Sequence, residues 1–229
     1  MINELLFILV LLLSFLVAIL AIKLGKGWLI AVPPIYLVFA NIFAPQLITV
    51  FGLVTSLAVP LYAAIFLATD VVAEHWGKKE ARKIIWIGLV AQIMLVLFSQ
   101  IMIRADVLEP SLAINEAFQV IFSFTPRLVL GSLVAYVISQ NWDIFVFHSL
   151  KKKTEGRHLW LRNNLSTATS QLLDSFIVIF IAFYGVLPGL VQFALTLWAT
   201  KIIVALLDTP IIYMSYGILG KKRPSKLNQ

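Results

Sequence analysis

The chain contains no cysteine, which excludes disulfides, thiolate metal sites and a cysteine nucleophile. It has three histidines, His75, His148 and His158, without the spacing of a metal-ligand pair. Neither H-E-x-x-H nor G-x-S-x-G occurs, and there is no G-x-x-x-x-G-K-[ST] loop for ATP hydrolysis. Acid is scarce as well, at 11 Asp and Glu in 229 residues. What fills the chain is apolar: 61% of residues are hydrophobic and the mean hydropathy is +0.96. Soluble domains stay near 45–50% apolar, so lipid is the solvent for most of this chain, and its length allows roughly six or seven transmembrane helices.

Seven apolar segments can be placed, giving an all-α polytopic membrane helix bundle. They run from about Leu5 to Ile22, from Trp28 to between Pro45 and Val50, and from Leu53 to Trp76. The next runs from Ile84 to Ile103, and another from between Phe118 and Arg127 to Leu150. The last two run from Asn164 to Leu187 and from Val191 to Leu219. Pro33-Pro34 fall in the first turns of the second span, where proline is tolerated, and Pro60 and Pro210 predict kinks in the third and last. The N-terminus lacks a basic region and a small-residue cleavage site, so the first segment reads as a retained span. No internal repeat is visible.

The net charge of +7 points to orientation rather than to nucleic acid. Lys23 and Lys26, then Lys78, Lys79, Arg82 and Lys83, then Lys151, Lys152, Lys153, Arg157 and Arg162, and the tail Lys221, Lys222, Arg223 and Lys226 hold 15 of the 18 basic residues. With seven spans all four clusters fall on one side, which the positive-inside rule makes the cytoplasm. The N-terminus is then outside and the C-terminus cytoplasmic. The opposite loop, around Arg104 to Ala117, carries Asp106, Glu109 and Glu116.

Ionisable groups inside membrane spans are costly and mark sites or pathways. Asp70 and Glu74 close the third span. In the fifth, Ser132, Tyr136, Gln140 and Asp143 fall within an ~80° stripe at about 100° per residue. In the sixth, Asn163, Thr167, Ser170 and Asp174 form a second stripe, with Gln171 beside it. In the last, Lys201 and Asp208 share a face, with Trp198 one turn before. Ser, Thr and Tyr stripes also glue helices together. The deep charges Asp174, Lys201 and Asp208 can also neutralise one another, and Glu74 and Asp143 lie near enough to the basic loops to answer them. Arg127, at the outer end of the fifth span, points away from Asp143. Together the stripes describe a wet cavity able to hold a polar solute.

These residues carry a resemblance. Thr69-Asp70 through Glu74, Gly77 and Ala81-Arg82 are followed by Thr125-Pro126-Arg127, Ser132, Ala135-Tyr136, Ser139-Gln140 and Asp143. Then come Leu161-Arg162, Ser166, Ser170-Gln171, Asp174-Ser175 and Ile181-Ala182-Phe183, with Asn41 upstream. From about Leu24 to Tyr216 the chain resembles the queuosine-precursor transporter family, also called the vitamin uptake transporter family. One departure is that many members carry a Lys shortly after the position of Asn41, where this chain has Pro45-Gln46.

The resemblance implies a multi-pass carrier in the cell membrane that imports deazapurine bases, preQ0 or preQ1, with no cofactor. Residues 1–23 would be an accessory first helix, 24–219 the core and 220–229 a cytoplasmic tail. A guanine-like edge presents adjacent N–H and NH2 donors that a carboxylate accepts in bidentate fashion, a role for Asp174 or Asp143. Gln140, Gln171 or Asn41 would pair with the remaining edge, and Trp198, Tyr136 or a Phe would stack. Asp70, Glu74, Ser170, Lys201 and Asp208 complete the candidate substrate site. Homo-oligomer formation and the driving force stay open. Competing readings are a substrate-binding subunit for a separate ATPase, a membrane-embedded enzyme and a purely structural protein.

Overall fold

The computed structural model describes residues 2–123, 126–185 and 188–221. Thr125, Leu187, Lys222, Arg223 and Lys226 lie outside them, as does the side chain of Arg127. Nine α-helices and one hairpin are described: α1 (Ile2–Leu24), α2 (Lys26–Phe43), β1 (Leu47–Val50), β2 (Leu53–Ser56), α3 (Val59–Trp76), α4 (Lys78–Met102), α5 (Leu112–Ser123), α6 (Pro126–Lys153), α7 (Leu159–Phe183), α8 (Leu190–Leu206) and α9 (Thr209–Ile218). A single 3-10 turn, Glu109–Ser111, precedes α5.

Six helical segments among the described residues are long and apolar enough to cross a membrane: α1, α2, α4, α6 from Leu130, α7, and α8 with α9 taken together. The seventh expected crossing, α3, does not belong to that set. The hairpin takes Leu53–Ser56 away from its start, leaving 18 residues that include Asp70, Glu74 and His75. Its surroundings explain the polarity. Helix α3 packs against α1, α2, α4, α6, α8 and α9, and its residues from Ala63 to Glu74 are all buried. It is therefore the axis of the bundle, solvated by other helices. The outer helices instead leave Leu, Ile and Phe side chains exposed along their length, as a lipid-facing surface requires.

Pro60 and the Pro33-Pro34 pair behave differently from expectation. Pro60 does not kink α3; it sits in the first turn, where the missing N–H costs nothing. Pro33 and Pro34 lie inside α2, not in its first turns. Pro210 does mark a break: the chain leaves α8 after Leu206 and restarts at Thr209, with Pro210 in the first turn of α9.

The expected end of the second span and start of the third form an antiparallel hairpin, with Leu47 opposite Ser56 and Val50 opposite Leu53. Asn3 donates to the Thr49 carbonyl at 3.2 Å, and the Phe51 N–H donates to Glu4 at 3.3 Å, so the start of α1 braces the hairpin. The basic clusters gather at the opposite end of the bundle. Lys26 meets Glu80 at 3.1 Å, Lys151 meets Glu74 at 2.8 Å, and Lys221 donates to the His75 carbonyl at 3.0 Å. Arg162 is a correction: it lies in α7, not in a loop, and is fully buried.

Candidate functional site

Helices α6 and α7 form an antiparallel pair whose polar residues meet in register. Ser139 donates to Asp174 at 3.3 Å, Trp142 to Thr169 at 3.1 Å, and Ser170 to Asp143 at 3.0 Å. Close approach is helped by Gly131, where a Cβ would stand 3.2 Å from Ile181. The 4- and 3-residue spacings on both helices thus become cross-helix pairs. Together with α3 they build three polar tiers along the bundle.

The first tier is a cavity of about 210 Å³ beneath the hairpin. Its walls include Asn41, Tyr62, Ser132, Asp174, Phe183, Phe193 and Lys201. The Lys201 ammonium lies 2.5 Å from Asp174 Oδ2 and 5.4 Å from the centre of the Tyr62 ring. Asp174 Oδ1 accepts from Ser139. Ser132 donates to Asn41 Oδ1 at 2.7 Å, and Asn41 in turn donates to the Leu37 carbonyl at 2.9 Å. The Tyr62 hydroxyl is within hydrogen-bonding reach of Ser132. Phe183 and Phe193 meet edge to face, 6.0 Å apart. The space is smaller than the ~300–1,000 Å³ of drug-sized sites, and it combines a carboxylate, an ammonium, an amide and aromatic faces. Such a set suits a small planar polar solute.

The second tier lies about 12 Å further along α3, eight residues on from Tyr62. Asp70, Asp143 and Asp208 are there, all fully buried. Thr167 donates to Asp70 at 3.5 Å, Ser170 to Asp143 at 3.0 Å, and Asn163 to Asp208 at 3.0 Å.

The third tier centres on Glu74, one turn beyond Asp70. Arg162 donates to its carboxylate at 2.5 Å, Lys151 at 2.8 Å, and the Tyr216 hydroxyl also donates to it. The Arg162 guanidinium lies 5.2 Å from the Phe147 ring centre. His75 and Ser215 sit 2.7 Å apart beside it. One carboxylate therefore ties α3 to α6, α7 and α9.

The expected site residues are thus distributed. The cavity unites Asn41, Asp174 and Lys201. Asp70, Asp143, Ser170 and Asp208 form the second tier, and Glu74 the third. Lys201 pairs with Asp174, and Asp208 accepts from Asn163. Asp143 does not answer the basic loops, whereas Glu74 does. Tyr136 turns from the cavity to the Ile84 carbonyl on α4, at 3.3 Å. Gln140 and Gln171 are buried but do not line the cavity. Trp198 donates to the Ala168 carbonyl at 3.0 Å and packs α8 on α7. Trp198→Phe should therefore leave solute affinity unchanged while costing about 1 kcal/mol of stability, measured as a small drop in thermal midpoint. Tyr62, Phe183, Phe193 and Arg162 were missed as site or network residues. Only the resemblance pointed at Arg162 and Phe183.

A family profile described as "Putative vitamin uptake transporter" matches residues 56–215, which contain every polar and aromatic side chain named in the three tiers except Asn41 and Tyr216. The chain belongs to this family. It is 36% identical over 179 residues to a "Probable queuosine precursor transporter" of Bacillus subtilis (strain 168), covering 77% of this chain and 78% of that one. It is 30% identical over 125 residues to a protein of the same description from Haemophilus influenzae, covering 52% and 48%. A "Queuosine precursor transporter" of Escherichia coli (strain K12) is 25% identical over 157 residues, covering 69% and 68%. No solved structure matches the chain. As a member of the vitamin uptake transporter family it is a multi-pass membrane transporter.

Proposed function

We propose that the chain imports queuosine precursors, deazapurine bases such as preQ0 and preQ1, binding them in the cavity of the first tier. The observation that carries this reading is a buried Asp174–Lys201 pair facing Tyr62 and Asn41 in one small cavity, within a chain 36% identical to a probable queuosine precursor transporter. Asp174 accepts the paired N–H and NH2 donors of the guanine-like edge. Lys201 donates to the ring carbonyl, Asn41 and Ser132 take the remaining polar edge, and Tyr62, Phe183 and Phe193 cover the ring faces.

The end where the basic clusters gather lies in the cytoplasm, so the hairpin and the cavity mouth face outward. Residues 24–219 form the transporting unit, 1–23 an accessory helix and 220–229 a tail. The chain works as a carrier by itself, without an ATPase partner. The test is uptake of labelled preQ0 and preQ1 by cells that cannot make them, expressing this chain alone. Uptake above the empty-vector control is the expected result. No uptake, with the protein present in the membrane, rejects the substrate or the claim that it works alone.

A further inference from the structure

No cation among the described residues pairs with Asp70, Asp143 or Asp208. Among the described residues every basic group near them is engaged elsewhere: Lys201 on α8 with Asp174, and Arg162 on α7 and Lys151 on α6 with Glu74. On α3, Glu74 is occupied by those two, and on α9 the Tyr216 hydroxyl is given to Glu74. Among the described residues the neutral groups within hydrogen-bonding reach of the three acids come from α7: Thr167, Ser170, Ser166 and Asn163. Asp70 and Asp143 lie within hydrogen-bonding reach of each other.

A second observation concerns Asn163. Its amide nitrogen is fixed on Asp208, which holds its carbonyl oxygen within the same tier. That oxygen is buried without a partner, as are Asp70 Oδ1, Asp143 Oδ2 and Asp208 Oδ2. These four unpartnered atoms of the tier are all acceptors. Two touching carboxylates in a low-dielectric interior cannot both carry charge, and one shared proton turns their repulsion into a hydrogen bond. No group of three acid or imidazole ligands among the described residues is arranged to hold a metal ion.

We propose that Asp70, Asp143 and Asp208 form a proton-binding site whose loading and release drive solute movement through the cavity. This rests on the carrier reading above. The link is short. Asp143 is one turn from Ser139, which holds Asp174. Ser170, which holds Asp143, is one turn from Asp174 itself. Asp208 stands at the break between α8, which carries Lys201, and α9. Loss of the proton puts like charges on α3 and α6 and at that break, and the repulsion is relieved by moving the helices that wall the cavity.

The test uses purified protein, by infrared spectroscopy and in phosphatidylcholine–phosphatidylglycerol liposomes. At neutral pH the wild type should show the carbonyl stretch of a buried protonated carboxylic acid, and Asp143→Asn should lose it. With one proton per solute, each pH unit of inward gradient should drive about tenfold accumulation of labelled precursor. Asp143→Asn should abolish that accumulation while keeping exchange of labelled for unlabelled precursor. Asp208→Asn serves as the second variant.

A missing acid band in the wild type overturns the proposal. So does undiminished accumulation in Asp143→Asn, accumulation that follows a sodium gradient, or loss of exchange in both variants. If the wild type exchanges no precursor at all, the substrate reading falls and the infrared band alone judges the proton site.

Discussion

Asp174→Asn should abolish precursor uptake while leaving the amount of protein in the membrane unchanged. The substitution keeps the shape of the side chain and removes the charge that Lys201 faces at 2.5 Å. Truncating one partner of a desolvated, hydrogen-bonded charge pair costs about 2–5 kcal/mol in binding, so affinity should fall at least ~30-fold. The fold should survive because Lys201 lines the cavity, where water can solvate its ammonium. Lys201→Met in the same chain should not restore uptake. Quantitative immunoblotting beside uptake separates the two effects. Normal uptake in Asp174→Asn removes this residue from the site.

The second large effect concerns stability. Glu74→Ala should destabilise the protein by about 3–5 kcal/mol, because it strands the Arg162 guanidinium in the interior without a counter-charge. Arg162 already has two nitrogens, Nε and Nη1, without a partner, so Glu74 is what makes its burial tolerable. Replacing both members with apolar residues of similar volume, Glu74→Met with Arg162→Met, should recover most of the loss, since the pair's own attraction is largely offset by its desolvation. Thermal unfolding in detergent, followed by the fraction remaining monodisperse, measures all three proteins. A double variant as unstable as Glu74→Ala would mean that the network contributes through something other than charge compensation.

Much of this arrangement was legible in the sequence, for physical reasons. Long apolar runs in a chain without soluble-domain composition force membrane helices, and the clustering of basic residues at one end follows from their alternation. Polar residues spaced by three and four on α6 and α7 must share a face, and two such faces in neighbouring helices become Ser170–Asp143, while Ser139, which holds Asp174, lies beside the α6 stripe and was marked only by the resemblance.

Other features were hidden. The hairpin at Leu47–Ser56 sits inside an apolar run, so the period-2 alternation that marks a strand has no polar partner to show against. Arg162 looked like one more basic loop residue, because nothing local reveals that α7 begins at Leu159 and buries it. Tyr136 shares a stripe with Ser132 and Asp143, yet a stripe on a central helix faces several neighbours, and Tyr136 fell to α4. Lys201 and Asp208 lie two turns apart, about 10 Å along a helix, and nothing local reveals that each meets its own partner on α7, Asp174 and Asn163. Tyr62 carries no signal beyond being an aromatic near the start of a span.

The central claim is that the cavity around Asp174 and Lys201 holds a queuosine precursor. Equilibrium binding of labelled preQ0 and preQ1 to purified protein in lipid nanodiscs tests it most directly, comparing wild type, Asp174→Asn and Trp198→Phe. Saturable binding of one or both bases is predicted, unchanged in Trp198→Phe and weakened at least ~30-fold in Asp174→Asn. Equal binding by wild type and Asp174→Asn, or no binding of either base by the wild type, would contradict it.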